Sequence, residues 1–321
     1  MKSFAVHAVG AFSGVGADAP STMGSLLVQL RPRAEIPFGQ KTANVAAVDY
    51  QAKPRGIKRL LAMAGSVLGE VALAELPWPL PIVLWCPGPD EIPCGPEELL
   101  ARLCLAEPDL IAPKASRVFH GGRHQLPNAF VAVEKILTSP GSTACVLLGV
   151  DSLFDPSRLR IVEQRRGLRS MERPDGVLPG EAAVALVLAA SDRVKGRPHI
   201  VSLATGQVRP GTSPGAALVA TVEKALGDAG VQAVEVKALA HDMTSPAAIE
   251  ELSSMMNRIP LASIGADNLY APSETAGETG AASSLLTLAM MAFLREKQIY
   301  DGAGLCIGSD ESGFRSVAVV K

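Results

Sequence analysis

The chain has 321 residues, enough for one large or two modest domains with ample surface to bury. It is 48% apolar but only 4% aromatic, so Ala, Val, Leu and Gly must build the core, which suits packed α/β layers better than a β-sandwich. Its net charge of −2 gives no global bias toward nucleic acid or an anionic membrane. Apolar runs stop at about ten residues, too short to span a bilayer. Phe4–Val9 reads as a strand and not as a secretory leader, so a cytoplasmic protein is expected. The five cysteines are scattered, without a C-x-x-C pair, and predict no disulfide framework. Cys145 and Cys306 fall in apolar runs and read as buried structural thiols.

In chain order, Phe4–Val9 ends at Gly10, and Ser21–Leu30 reads as a helix capped by Ser21. Arg31–Lys53 shows no clear period. Ile57–Leu76 is a strong helix whose apolar face carries Leu60, Leu61, Ala64, Val67, Leu68 and Val71, with Lys58 and Arg59 expected in solvent. Pro77–Pro81 breaks it before a buried strand, Ile82–Trp85. A Pro-rich loop, Pro87–Pro96, precedes a helix at Glu97–Leu105. Ser116–Phe119 is a candidate strand. It leads into His120-Gly121-Gly122-Arg123-His124-Gln125 and a helix that starts with Pro127 and runs to about Thr138. Ala144–Val150 is a buried strand. Six arginines between Arg158 and Arg173 then make a basic stretch, expected as a solvated arm or dimer edge, or as a dock for an acidic partner. Ala182–Ala190 is a strand, and polar Asp192–Pro198 suggests a half-boundary.

The second half restarts the pattern. His199–Thr205 ends at Gly206 as Phe4–Val9 ends at Gly10. Pro214–Ala229 is a helix, Val236–Ala240 a strand, Ala247–Met256 a helix, Ala281–Leu294 a long apolar helix, and Gly304–Ile307 and Ser316–Val320 are strands. An apolar strand ends in Gly-x-Asp in each half, at Gly149-Val150-Asp151 and Gly308-Ser309-Asp310. The repeat, at roughly 160 to 195 residues, predicts two similar α/β halves, 1–193 and 194–321. Ala238-Leu239-Ala240-His241-Asp242-Met243-Thr244-Ser245-Pro246 delivers one imidazole to the end of a strand before a helix, which is where open α/β sheets build sites. Gly-rich turns near the N-terminus match no phosphate loop, and the five histidines have no metal-ligand spacing, so neither cofactor nor metal is expected.

Five segments in order resemble the thiolase superfamily, and within it the β-ketoacyl synthases: Ala5–Gly16, Leu148-Gly149-Val150, Gly180–Leu188, Ala240–Pro246 and Gly277–Ser283. The resemblance implies an αβαβα sandwich of two βαβαβαββ halves, commonly dimeric. It also implies acyl transfer: a Cys at a helix N-terminus takes an acyl group from a thioester, and paired His/His or His/Asn donors support decarboxylation and condensation.

Here the chain departs from that pattern. The nucleophile position falls at or beside Arg123 and His124, and no Cys lies between Cys104 and Cys145. His241 matches the first catalytic histidine, but the second donor position is Glu278, and a carboxylate repels an oxyanion unless protonated. The Gly-Phe-Gly-Gly gate of the synthases is replaced by Ser309-Asp310-Glu311-Ser312-Gly313-Phe314. Two expectations follow. One is a non-condensing pseudoenzyme, an adaptor or a subunit paired as a homodimer or heterodimer with another thiolase-like chain. Such a chain would resemble chain-length factors, or accessory proteins beside type VI secretion effectors, with an acyl carrier protein or an effector as further partner. The other is an acyltransferase or decarboxylase using a non-cysteine site around His241, Glu278 and Arg123. Arg123 and His124 are expected either to neutralise Glu278 or to bind an anion at the helix N-terminus.

Overall fold

A computed structural model describes residues 3–321 except 32, 40, 48–54, 93, 192–193 and 262–263. The expected half-boundary at Arg193 lies outside the described residues. The first half runs β1 (Phe4–Ser13), α1 (Ala19–Leu27), β2 (Ala34–Phe38), β3 (Lys41–Val45), α2 (Gly56–Val71), β4 (Ile82–Cys86), α3 (Pro96–Ala106), β5 (Arg117–His120), α4 (Leu126–Leu137), β6 (Cys145–Ser152), α5 (Pro156–Arg165) and β7 (Glu181–Ala190). The second runs β8 (His199–Gln207), α6 (Pro214–Ala229), β9 (Val236–His241), α7 (Pro246–Arg258), β10 (Leu269–Tyr270), α8 (Pro272–Ala276), α9 (Ser283–Glu296), β11 (Ala303–Ser309) and β12 (Phe314–Val320).

The strand order β10-β9-β11-β12-β8-β1-β7-β6-β4-β5 reads the same from either end once β8 is matched with β1, β9 with β4, β10 with β5, β11 with β6 and β12 with β7. The pairing directions match as well. β4 is parallel to β5 and β6, as β9 is to β10 and β11, while β7 and β12 run antiparallel to their neighbours. The two five-stranded halves meet through β1 and β8, where Phe4 pairs with Ile200 and Ala5 with His199.

Burial explains the layers. Leu60, Val67 and Leu68 of α2 and Leu99 and Leu103 of α3 cover one face of the first half-sheet. Leu218 and Val222 of α6 and Leu252 and Met255 of α7 cover the matching face of the second. Between the two half-sheets lie α4 and α9, with Phe130, Val133, Leu285, Leu288 and Met291 in one central core. A helix apolar all round fits only such a position, and residues 283–292 of α9 are all buried. The arrangement is an αβαβα sandwich, with β-α-β-α-β-α-β-β in each half.

Local signals set the ends of these elements. Ser213 and Ser245 cap α6 and α7 by accepting from Ala216 N and Ala248 N, with Pro in the first turn of each. Several expectations need correction. Ser21 is not the cap of α1; Asp18 is, and Ser21 closes a capping box with it. The aperiodic stretch from Arg31 holds a hairpin, β2 with β3, too short and mixed to show a period. Arg59 is not in solvent: it is buried and makes a bidentate ion pair with Glu181, the first residue of β7. Arg158 is likewise buried on Asp151 and is not part of a solvated arm.

The Gly-Glu strand and the second glycine turn are pressed together. Gly180 N donates to Glu278 O at 2.9 Å, and Glu278 N to Leu178 O at 2.7 Å. A Cβ on Gly180 would sit 1.9 Å from the Ala276 carbonyl oxygen. Gly277, at φ 75°, approaches Leu178 O from the other side. Substituting Gly180→Ala is therefore expected to cost about 3 kcal/mol or more, because only backbone can yield. Urea unfolding of wild type and variant measures it, and a loss under about 0.5 kcal/mol would contradict the close approach.

Candidate functional site

The site forms where the ends of β5, β9 and β11 meet the starts of α4, α7 and α9. Arg123 opens a single 3₁₀ turn before α4, and its side chain crosses into the second half. Its Nε donates to Asp242 Oδ2 at 2.8 Å and its Nη2 to Glu278 Oε1 at 3.1 Å. Arg166, just after α5, donates from Nη1 to Glu278 Oε2 at 3.0 Å and from Nη2 to Thr244 Oγ1 at 3.0 Å. Thr244 Oγ1 in turn donates to Glu278 Oε2 at 3.2 Å. Asp242 also accepts from Ser284 Oγ at 2.9 Å. Arg166 Nε lies 3.0 Å from Glu311 Oε1 at the rim.

Burial makes these bonds consequential. Arg123, Asp242 and Glu278 are nearly excluded from water. Burial alone would lower the Arg123 pKa, but the charges of Asp242 and Glu278 outweigh it and hold the guanidinium above its usual value. Glu278 pays the same desolvation cost, yet two guanidiniums, Arg123 and Arg166, hold its carboxyl below the usual range. Asp242 has one cation and one hydroxyl, and there burial prevails and its pKa rises. Glu278 is thus a fixed anion at neutral pH.

His241, 4% exposed, ends β9, and its Nδ1 has no hydrogen-bond partner. Burial lowers its pKa to about 4, against the opposing charge of Glu274 and a hydrogen bond to the Met243 backbone. The imidazole is neutral at pH 7. The structure therefore joins Arg123 directly to Glu278, whereas among the described residues His241 bonds to neither; its neighbour Asp242 takes that place. His124 does not reach Glu278: it is half exposed, with Nδ1 3.8 Å from Asp310 Oδ2. A cleft of about 390 Å³ beside the cluster is lined by Arg123, Asp242, Thr244 and Arg315, but His241 is not on its wall. Burial pushes the Cys86 and Cys145 thiols up to about 12 and Cys306 further, so none is a thiolate. Among the described residues no group of His, Cys, Asp and Glu is placed to hold a metal.

No protein-family model and no curated protein matches the chain. Solved structures do. "The ishigamide ketosynthase/chain length factor" is 17% identical and superposes with a TM-score of 0.76, covering 99% of both chains. "AntDE:AntF (apo): type II PKS acyl-carrier protein in complex with its ketosynthase bound to the hexaketide" matches at TM-score 0.74 and 13% identity, over 100% of this chain and 99% of that one. "Ketosynthase (ApeO) in Complex with its Chain Length Factor (ApeC) from Xenorhabdus doucetiae" matches at 0.70 and 13%, over 99% and 98%. The chain has the thiolase-like ketosynthase fold. The fold is retained over the full length even though the identities are low.

On the ketosynthase fold, sequence resemblance directs attention to Arg123, His241 and Glu278, but it does not find Asp242, Thr244, Arg166 or Ser284. Asp242 and Thr244 lie in the His241 turn, and their acidity and hydroxyl were the available signals. Arg166 was hidden in a run of arginines, since sequence spacing does not say which guanidinium turns inward. No helix among the described residues is long and apolar enough to cross a membrane.

Two expectations follow. Arg123→Met strips the cation from two buried carboxylates and is expected to cost about 3–5 kcal/mol in urea unfolding, with Arg123→Lys in between. A loss under about 1 kcal/mol would mean that the ion pairs are not formed in solution. The depressed His241 pKa also sets a pH dependence. Between pH 6.5 and about 4 the unfolded chain takes up a proton that the folded state refuses, so this group's contribution falls with acidification, by on the order of 3 kcal/mol in total. A His241→Leu variant should lose less stability than wild type across that window. Parallel curves would show that His241 is not held neutral.

Proposed function

We propose that this chain is a non-condensing ketosynthase-like protein that acts as a partner subunit of another thiolase-like chain. The observation that carries the reading is Arg123. The guanidinium stands at or beside the position where the resemblance calls for a thiolate, has no lone pair to attack with, and is ion-paired with Asp242 and Glu278. The rest of the site agrees. An oxyanion needs donors aimed into a vacant, dry space, and here the facing group is an anion held by two arginines. The fold keeps its core without the chemistry, as folds can.

Two of the matched structures pair a ketosynthase with an acyl-carrier protein or with a chain length factor. We carry that pairing to this chain as its role: a structural half of a heterodimer, with a carrier protein or a secretion effector as the third component.

Incubation with an acyl thioester, read by intact mass, should give no acyl adduct, and malonyl thioester should release no carbon dioxide above background. Affinity capture from the native cell should recover a thiolase-like chain with a cysteine at the nucleophile turn. Recovery of a secretion component instead would make the chain an adaptor outside acyl chemistry. A covalent adduct, or decarboxylation abolished by His241→Ala in a folded variant, would overturn the reading in favour of an acyltransferase with a non-cysteine site.

A further inference from the structure

A small cavity of about 10 Å³ lies beneath the start of α9, against β11, β12 and the turn after β9. That is the space of a single water. Asp242, Ser284 and Ser316 bring oxygen to its wall, and Leu126 and Leu288 are among the apolar residues that surround it. All five are buried.

Two of these oxygens lack the partners that burial demands. Ser316 is 2% exposed, and its hydroxyl makes no hydrogen bond among the described residues. Asp242 is unevenly served. Arg123 Nε and Ser284 Oγ both donate to its Oδ2, at 2.8 and 2.9 Å, whereas Oδ1 has, among the described residues, the Ser309 amide at 3.4 Å and nothing closer. Buried polar atoms are nearly always bonded, so two under-bonded oxygens on one cavity point to an occupant that serves both.

A strand glycine sets where that occupant sits. Gly308 pairs with Ser316 across β11 and β12. A Cβ on Gly308 would lie 2.7 Å from Ser316 Oγ, 3.4 Å from Ser284 Oγ and 3.5 Å from Asp242 Oδ1. Three oxygens from three parts of the fold thus converge on the space in front of the glycine. The matching glycine of the first half, Gly149, faces a side chain instead: an added Cβ there would lie 2.7 Å from Leu285 Cδ1. One half fills its glycine cradle with a leucine, and the other lines it with oxygen.

We infer that this cavity is a binding site for one water molecule, which ties β12 to the Arg123–Asp242 pair. The hydrogen bonds balance. The Ser316 hydroxyl donates to the water. The water gives one hydrogen to Asp242 Oδ1 and the other to Ser284 Oγ, whose own hydrogen already goes to Asp242 Oδ2. Three bonds are the usual complement of a buried water, and the volume admits nothing larger. The site does not depend on whether the chain condenses acyl groups.

Urea unfolding of Ser316→Ala tests this by sign. Removing a buried hydroxyl that has no partner stabilises a fold, whereas removing one that holds a bonded water destabilises it. The unfolding constant is expected to rise about fivefold, the worth of one hydrogen bond. A high-resolution crystal structure of the full chain should show a density peak within hydrogen-bond distance of both Ser316 Oγ and Asp242 Oδ1. In Gly308→Ala, whose methyl claims the same space, the peak should be gone. An unfolding constant that stays the same or falls in Ser316→Ala would overturn the inference, as would a wild-type crystal structure without the peak.

Discussion

A charge removed from water must be met by an opposite one, and the centre of this molecule is built on that requirement. Arg123 enters from the first half, at the start of one central helix. Asp242 and Glu278 come from the second, one at the end of β9 and one in the turn before α9. No part of the set is stable alone: a lone buried ion costs several kcal/mol, while the pair with its extra hydrogen bonds is tolerable. Ser284 restrains Asp242, and Arg166 with Thr244 restrains Glu278. The cluster therefore works as a bolt through the two halves, and its members can change only together.

The duplicated Gly-x-Asp strand ends add a second link of the same kind. Asp151, ending β6, accepts from Ala281 N at the start of the other half's central helix at 2.8 Å. Asp310, just past β11, lies 3.8 Å from His124 at the start of the first half's central helix. Each half thus sends an acidic residue to the N-terminal end of the helix it did not contribute, where negative charge is favoured. The Asp151 arm is buried and fixed by Arg158, whereas the Asp310 arm ends on a half-exposed imidazole. The duplication remains in the backbone more than in the strength of the two contacts.

This division explains what the sequence made legible. Long periodic elements such as α2 and α6, and continuous apolar strands such as β7, are written in local pattern, because burial on both faces leaves little choice of residue. The order of five motif-bearing segments was enough for the sandwich. The short hairpin of β2 and β3, and the two-residue β10, carry too few residues to show a period. Side-chain destinations were harder still. Arg59, Arg158 and Arg166 look like solvent-facing cations, and each is committed to a carboxylate more than a hundred residues away or across a strand end. Only the meeting of β5, β9 and α9 tells which arginine is spoken for.

The same reasoning bears on whether Glu278 could stand in for a hydrogen-bond donor. A carboxyl can stabilise an oxyanion only when it carries a proton, and apolar burial is what usually keeps it protonated. Glu278 has the burial but not the apolar surroundings: both its oxygens accept from guanidinium N–H groups, and its pKa is driven down. To become a donor it would have to lose Arg123 and Arg166 together, leaving Asp242 and Glu311 without their cations. Restoring a donor at this position therefore requires dismantling the ion-pair bolt, whereas keeping the bolt preserves the fold and the surfaces it presents. That asymmetry is the physical reason to read the centre of this chain as structure and to look for its function in what it binds.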